Sequence, residues 1–351
     1  MTRPKTVGLL HGMERSFPEA LAKSVNEKGR GRVNAAPVKI GAIRHDEIPE
    51  YDIIVDRISH EVSFYRTYLK AAAARGTQVI NNPYWWSADD KFFNNVVAQA
   101  AGVAVPRTVI LPHKDHPPGT KAESFTNLVF PVDWSAVFAY LQFPVFMKPA
   151  YGGGWKDVYK VSNPDEFFSA FDNTHTLCMM AQEAIEFTEY YRCYGIGRSK
   201  VRIMRYDPKA PFHERYVKNA PKTDPALEKR MTRDALALCE ALGYDLNTIE
   251  FAVRDGVPYA IDFMNPAPDA DVKSVGEENF RWVVDAVTDL LIERAEKPRG
   301  LEITGTWPQM LSPARVRRDE PPARPASQPS RVASPGPRKD ARTAPAAKGR
   351  K

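Results

Sequence analysis

Cysteine is scarce in this chain: Cys178, Cys193 and Cys239 are the only three in 351 residues, odd in number and widely spaced. That count excludes a disulfide framework and a zinc knuckle and points to buried thiols in a reducing compartment, so a cytoplasmic location is expected. No apolar run approaches the roughly 18 residues that span a bilayer, and the chain reaches a strand-like segment at residues 6–10 without a signal-peptide core. No Gly-Lys-Ser/Thr opens a helix after a glycine loop, and no Gly-x-Gly-x-x-Gly follows a strand. A nucleophile elbow, a Cys-His pair and internal repeats are missing too, which sets aside covalent acyl-enzyme chemistry and repeat architectures.

The segment that carries chemistry is residues 247–271, NTIEFAVRDGVPYAIDFMNPAPDAD. Two strand-like runs are joined by the turn Asp255-Gly256, the strongest short hairpin signal. Antiparallel pairing would bring Glu250 opposite the region of Asp262, with Asn265 just beyond, so oxygen ligands remote in sequence could share one hard cation. Magnesium is commonly held by one or two carboxylates plus substrate phosphates. A phosphate cradle is therefore the feature to look for, and FPVFMKPAYGGGW supplies a candidate about a hundred residues upstream. There Lys148 sits on a short apolar strand, and Gly152, Gly153 and Gly154 follow, letting main-chain N–H groups approach phosphate oxygens unobstructed.

Between these segments, LCMMAQEAIEFTE reads as a strand entering a linker with Gln182, Glu183 and then Glu189; upstream, Asp90-Lys91 opens an amphipathic run that stops at Gly102. Lysine on a helix, lysine on a strand, glycine loop, hinge with amide and acid, carboxylate hairpin: this order resembles the ATP-grasp superfamily. The branch with glutathione synthetase, the RimK-type glutamate ligases and D-alanine-D-alanine ligase is the most similar, over roughly residues 50–298. The resemblance implies an α/β (α+β ATP-grasp) fold. Residues 1–82 would form a small, Rossmann-like parallel-sheet pre-ATP-grasp domain, and residues 83–300 a two-lobed ATP-grasp domain. Residues 301–351 would be a linker and a disordered basic Pro/Ala-rich tail.

The same resemblance implies roles. Lys91 and Lys148 would be the two nucleotide lysines, with Gly152–Gly154 over the phosphates. Gln182, Glu183 and the backbone of Ala184-Ile185 would form the hinge that reads adenine, with Glu189 on the ribose hydroxyls. Glu250, Asp262 and Asn265 would hold magnesium or manganese. On the strand KVRIMRY, Arg202 and Arg205 are three apart and point to opposite sides, so one should face the cleft. The family places a basic residue there on the transferred phosphate; Arg205 is favoured, with Arg202 the alternate. Arg192 is expected to steady the hinge rather than do chemistry. Two departures stand out. The pair Asp262-Phe-Met-Asn265 has one residue more than the usual Glu-x-Asn, which a bulge could absorb. The glycine loop carries Tyr151 and Trp155 where the family has serine or arginine.

The first eighty residues alternate strand and helix: TVGLL, a helix from a Ser16–Glu19 capping box, strands over PVKIGAI and YDIIVDRI, a helix over residues 60–75 ending at Gly76, and the strand TQVI. Such alternation implies a mostly parallel sheet, with ligands at the carboxyl ends of its strands. His11 and Arg57 lie at such ends and are the substrate candidates. His113 and His116 form HxxH in a proline-rich loop, not on a helix that would present metal ligands. The aromatics of PYWWSADDKFF read as junction packing.

The net charge of +6 is unevenly spread: residues 314–351 carry +8, leaving −2 on residues 1–313. That tail holds almost no large apolar side chains, so disorder is expected, with an acidic partner or nucleic acid its candidate contact. The function expected is an ATP-dependent carboxylate-amine ligase working through an acyl phosphate and releasing ADP and phosphate. Its substrates would be small molecules, amino acids or a peptide, with no membrane role; a homo-oligomer is compatible. The alternatives are a phosphotransferase on the same scaffold and a nucleotide-binding regulatory or tailoring protein without turnover.

Overall fold

The computed structural model describes residues 3–47, 50–84 and 90–300. It contains three four-stranded sheets. The first is parallel and is built from β1 (Lys5–Leu10), α1 (Ser16–Gly29), β2 (Val33–Pro37), β3 (Ile53–Asp56), α2 (Ser63–Ala74) and β4 (Gln78–Ile80), in the order β2-β1-β3-β4. The central strand β3 is buried at every position, as a parallel strand covered on both faces must be. Two local expectations shift. The second strand is not 37–43 but Val33–Pro37, because Val33 and Ala35 face the core of α1 while Val38 and Ile40 pack beyond it against Tyr51. Ser16 does not cap α1: Arg15 holds the cap position without a side-chain bond, and the Ser16 hydroxyl instead donates to Asp271 Oδ2 at 2.8 Å.

The second sheet follows α3 (Lys91–Ala100). Its members are β5 (Thr108–Ile110), α4 (Trp134–Leu141), β6 (Val145–Pro149), β7 (Tyr159–Val161), α5 (Pro164–Asp172) and β8 (Met179–Glu183), with strand order β5-β8-β6-β7 and every pair antiparallel. An aromatic cluster fills its helix-covered face; Trp134 meets Phe167, Phe168 and Phe171 edge-on at 5.4–5.7 Å.

The third sheet comprises β9 (Glu189–Ile196), β10 (Lys200–Arg205), β11 (Leu246–Arg254) and β12 (Val257–Asp262) in the order β10-β9-β11-β12, all antiparallel, with α6 (Pro225–Leu242) between β10 and β11. Short α7 (Val272–Val275) and long α8 (Glu277–Glu296) close the described chain. Helix α6 covers one face of this sheet, burying Met231, Leu238 and Cys239 against Cys193, Ile249 and Phe251. Helix α8 lies on the other face and continues into the first sheet, so Val7, Leu9, Phe17 and Leu21 share one core with Tyr194, Val287 and Leu291. All three cysteines are free, with Cys193 and Cys239 buried. Among the described residues, no helix is long and apolar enough to cross a membrane. Trp85, Trp86 and residues 301–351, with the proposed tail, lie outside the described residues.

Candidate active site

A cleft of about 350 Å³ opens between the second and third sheets, and the chemistry-bearing segments meet in it. Lys148 reaches in from β6 and Lys91 from the first position of α3, where Asp90 caps the helix by accepting from the Phe93 N–H at 2.8 Å. Lys91 Nζ donates to the carbonyl of Gly152, tying the helix to the glycine loop. In that loop Gly152 and Gly154 have φ of 82° and 74°, conformations that a side chain would strain. Tyr151 and Trp155 flank the glycines and are exposed.

The opposite wall is the β11–β12 hairpin. Asp255 and Gly256 both take positive φ, 52° and 70°, as the tight two-residue turn requires. Its register sets Glu250 directly across from Asp262. A bulge does lie here: Phe251 pairs with Ala260, so Ile261 is the extra residue, placed before Asp262 rather than after it. The Tyr190 hydroxyl donates to Glu250 Oε2 at 2.6 Å, and Arg192 Nε lies 3.7 Å from Oε1. Burial pushes the Glu250 carboxyl up; Arg192 opposes this and Asp262 adds to it. Lys148 responds in the other direction: enclosure lowers its ammonium to about 8, although Asp262 and Glu250 favour its charge, while Lys91 opposes it.

Two lysines face two carboxylates across a cavity that the glycine loop also lines. Such a donor set fits a polyphosphate bridged to a hard cation. Among the described residues no group of three or more His, Cys, Asp or Glu side chains converges, so the Glu250–Asp262 pair would need phosphate oxygens to complete a coordination shell.

No protein-family model matches the sequence. Mouse mitochondrial pyruvate carboxylase is 27% identical over 189 residues, 49% of this chain, and the chain spans only 15% of the length of that relative. Solved structures align far more broadly. D-alanine-D-alanine ligase from Bacillus anthracis superposes with a TM-score of 0.59 at 16% identity, covering 84% of this chain and 98% of its own. VanG D-Ala:D-Ser ligase from Enterococcus faecalis gives 0.57 at 14% identity over 82% and 99% of the two chains. A RimK domain ATP-grasp protein from Sphaerobacter thermophilus gives 0.58 at 18% identity over 80% and 99%. The chain has the ATP-grasp fold.

Within this ATP-grasp fold, several expected residues stand elsewhere than the sequence suggested. Gln182 Oε1 accepts from Lys148 Nζ at 2.9 Å, and its Nε2 donates to Thr108 Oγ1 at 2.9 Å and Asn95 Oδ1 at 3.3 Å, so the side-chain amide is already engaged. Glu183 is clamped between Arg107 at 3.0 Å and Arg254 at 2.8 Å, which hold its carboxyl below the usual range despite burial. The hinge borders the cleft through Gln182, Glu183 and the apolar Ile185 and Phe187, while the Ala184 N–H is already donated to the Pro144 carbonyl at 3.0 Å.

Glu189 points away from the cleft. Its Oε2 accepts from the Tyr191 hydroxyl at 2.6 Å and from Arg205, on the face covered by α6. Arg205 is accordingly removed from the cleft, and Arg202, on the opposite face as its spacing implied, is bound to Glu278 and Asn279 of α8. The reason is strand order: β10 is the outer strand, separated from the carboxylate hairpin by β9. The arginine that reaches Glu250 is Arg192, which β9 sets directly beside it.

Asn265 lies behind Glu250. In the amide orientation that satisfies its neighbours, its carbonyl accepts from Arg192 Nη2 at 2.9 Å and Thr248 Oγ1 at 3.1 Å, so it anchors Arg192 and is not turned toward a cation. Arg57 is buried against Glu14, at 2.6 and 2.9 Å, and the Pro268 carbonyl at 2.7 Å, outside the cleft lining. His11 bonds only locally, 3.1 Å from the Gly12 carbonyl. His116 stacks on Phe125 at 5.2 Å instead of pairing with His113 on a metal.

Tyr190, Arg192 and Arg215 were not singled out as site residues in the sequence. Tyr190 and Arg192 follow the two-residue alternation of YYRCYG on β9; Arg215, in the loop after β10, acts electrostatically on Glu250. The alternation was visible, but the pairing of β9 with β11 was not.

Proposed function

We propose that this protein is an ATP-dependent ligase that joins a carboxylate to an amine through an acyl phosphate, with ADP and phosphate as coproducts. The observation that carries this reading is the convergence of Lys91, Lys148, the glycine loop, Glu250 and Asp262 in one cleft. The ligase activities named for the Bacillus and Enterococcus structures support it by analogy of fold. Residues 1–82, 83–300 and 301–351 are the proposed divisions, and the free thiols support a cytoplasmic setting.

ATP enters along the apolar hinge, its base against Ile185 and Phe187. Lys148 and Lys91 neutralise the phosphates, and the glycine-loop amides close over them. Glu250 and Asp262 would hold magnesium or manganese, which would supply positive charge to neutralise and orient the phosphates. Tyr190 and Arg192 hold Glu250 in position, and Arg192 and Arg215 offer positive charge to the transferred group. A carboxylate oxygen then attacks the γ-phosphorus as the bond to ADP breaks. The amine nitrogen adds to the acyl carbon, phosphate leaves, and the amine proton is lost, so atoms balance without a covalent enzyme intermediate. Tyr151 and Trp155 at the loop shield the acyl phosphate from water.

The test is a screen of amino acids, small peptides and simple amines with small acids for ADP release, with product masses recorded. An amide whose formation matches ADP release is the expected result. A phosphorylated product with no amine requirement would replace the ligase with a phosphotransferase, and no nucleotide turnover with any pair would leave a binding protein.

A further inference from the structure

Thr108, Gln182 and Lys148 stand in one row on the second sheet. Thr108 of β5 pairs directly across from Gln182 of β8, and Gln182 directly across from Phe146 of β6; Lys148, two residues further along β6, shares that face. The alternate residues Val145, Met147 and Ala181 turn to the aromatic core on the other side. Asn95 of α3 completes the row. Gln182 and Asn95 are only 2 and 7% exposed, so protein groups must satisfy their amides.

Two main-chain carbonyls fix the direction of every bond in this row. Thr108 Oγ1 donates to the Pro106 carbonyl at 2.9 Å, and Asn95 Nδ2 donates to the Lys91 carbonyl at 2.7 Å. Since a carbonyl can only accept, Thr108 Oγ1 and Asn95 Oδ1 are left as acceptors, and Gln182 Nε2 donates to both, at 2.9 and 3.3 Å. The Gln182 amide has no second orientation. Turned over, it would set its oxygen against two lone pairs and its N–H groups against an ammonium. Gln182 Oε1 therefore faces Lys148 Nζ, at 2.9 Å, and takes one of its three N–H groups. This acceptor carries no charge, whereas a carboxylate in its place would give Lys148 a fixed counterion and leave Thr108 and Asn95 without a donor. The row also reaches the other lysine: Asn95 lies one helical turn from Lys91, whose own N–H donates to the Ala150 carbonyl at 2.9 Å, just past the end of β6.

We propose that Thr108 and Asn95 are positioning residues for the nucleotide: by locking the Gln182 amide they aim the Lys148 ammonium at the phosphates and keep it in register with the helix that carries Lys91. Lys148 and Gln182 line the cleft, whereas Thr108 and Asn95 do not, so these two act through the amide and not by touching nucleotide. The inference rests on the nucleotide-binding half of the ligase reading.

Calorimetry of ATP with magnesium on the full chain tests it through a double-mutant cycle. Thr108→Val keeps the shape and removes the acceptor, freeing the amide to turn; ATP should bind about 10-fold more weakly. Thr108→Ser, which restores the hydroxyl, should return the affinity to within about 2-fold of wild type. Asn95→Ala should act in the same direction by less, because its bond to Gln182 is the longer one. The deciding measurement is Thr108→Val in a Lys148→Ala background. With Lys148 gone, the second substitution should change ATP affinity less than about 2-fold, whereas a residue that merely supports the fold would weaken binding equally in both backgrounds. Equal losses in the two backgrounds, an unchanged affinity in Thr108→Val, or no recovery in Thr108→Ser each overturn the proposal. Melting curves identify a variant that has lost its fold, and Thr108→Ser and Asn95→Ala then carry the same cycle. ATP binding that follows the cycle without any amide product overturns the ligase reading and leaves the positioning role standing; a wild type that binds no ATP overturns both.

Discussion

Lys148 is the residue on which the proposed chemistry turns, because its ammonium is both the charge offered to phosphate and a charge the cleft disfavours. Lys148→Ala should weaken ATP binding roughly 10- to 150-fold, the range for losing a charge-assisted contact, and Lys91→Ala somewhat less. Calorimetry on folded variants checks both. The lowered ammonium, at about 8, adds a pH dependence. Below that value Lys148 is protonated; above it the free protein has lost the proton that phosphate requires. ATP affinity should therefore fall as pH rises through 8, with proton uptake on binding above it, read from calorimetry in two buffers of different ionisation enthalpy. A flat affinity from pH 7 to 9.5 would show that the cleft does not lower the Lys148 ammonium. Tyr190 makes a different demand: its hydroxyl fixes Glu250 Oε2 at 2.6 Å, so Tyr190→Phe should raise half-saturating magnesium about 10-fold with little change in fold stability. An unchanged magnesium titration would reduce Tyr190 to packing.

Strands and hairpins divide what the sequence disclosed from what it withheld. The β11–β12 hairpin was legible because a two-residue Asp-Gly turn fixes register locally; that register alone would set Glu250 opposite Ile261, and the bulge at Ile261 shifts the pairing to Asp262. The first sheet was legible for a similar reason: alternating strand and helix leaves few topologies. Arg205 misled because its place depends on strand order, a nonlocal fact: β10 pairs outward of β9, and only β9 borders β11. Glu189 misled by parity, since it shares the Tyr191 face and not the Tyr190 face. Gln182 and Glu183 lie in the expected segment, but their side chains were claimed by neighbours distant in sequence, Lys148 and Thr108 for one, Arg107 and Arg254 for the other. The hairpin itself yields the next test. Asp262→Asn keeps the shape of a residue at the end of β12 but removes one negative charge from the pair. Magnesium should bind more weakly, and ADP release should need more of it, while the melting temperature without metal stays level or rises as repulsion with Glu250 is relieved. Equal magnesium half-saturation and equal rates in both proteins would eliminate the cation site and the main support for ligation.

The molecule as a whole is tied together unequally. The second sheet has its own aromatic core; the first and third each have a core of their own on one face and share another through α1 and α8. Asn81 stitches that joint further, its carbonyl accepting from the Asp245 and Leu246 N–H groups at 2.8 Å and its amide donating to the Leu246 carbonyl at 2.8 Å. Thr288 reaches Ser24 at 3.0 Å across the same seam. Sequence reading drew a border near residue 82, where strand-helix alternation gives way to the nucleotide segments; burial puts the energetic border around the second sheet instead. Two consequences separate these divisions. Removing residues 314–351 takes away charge but almost no apolar surface, so melting and ATP turnover should be nearly unchanged. Removing residues 1–82 strips the partner from Tyr194, Val287 and Leu291, leaving an apolar face that no other described element covers. A fragment of residues 83–300 should therefore aggregate or fail to melt cooperatively, whereas in the intact chain the first and third sheets should exchange amide hydrogens as one unit and the second sheet by a separate, lower-energy opening that ATP with magnesium suppresses. Hydrogen exchange with and without nucleotide reads both units. A soluble 83–300 fragment with a single sharp transition would mean that the shared core contributes little and that residue 82 is a domain border in energy as well as in pattern.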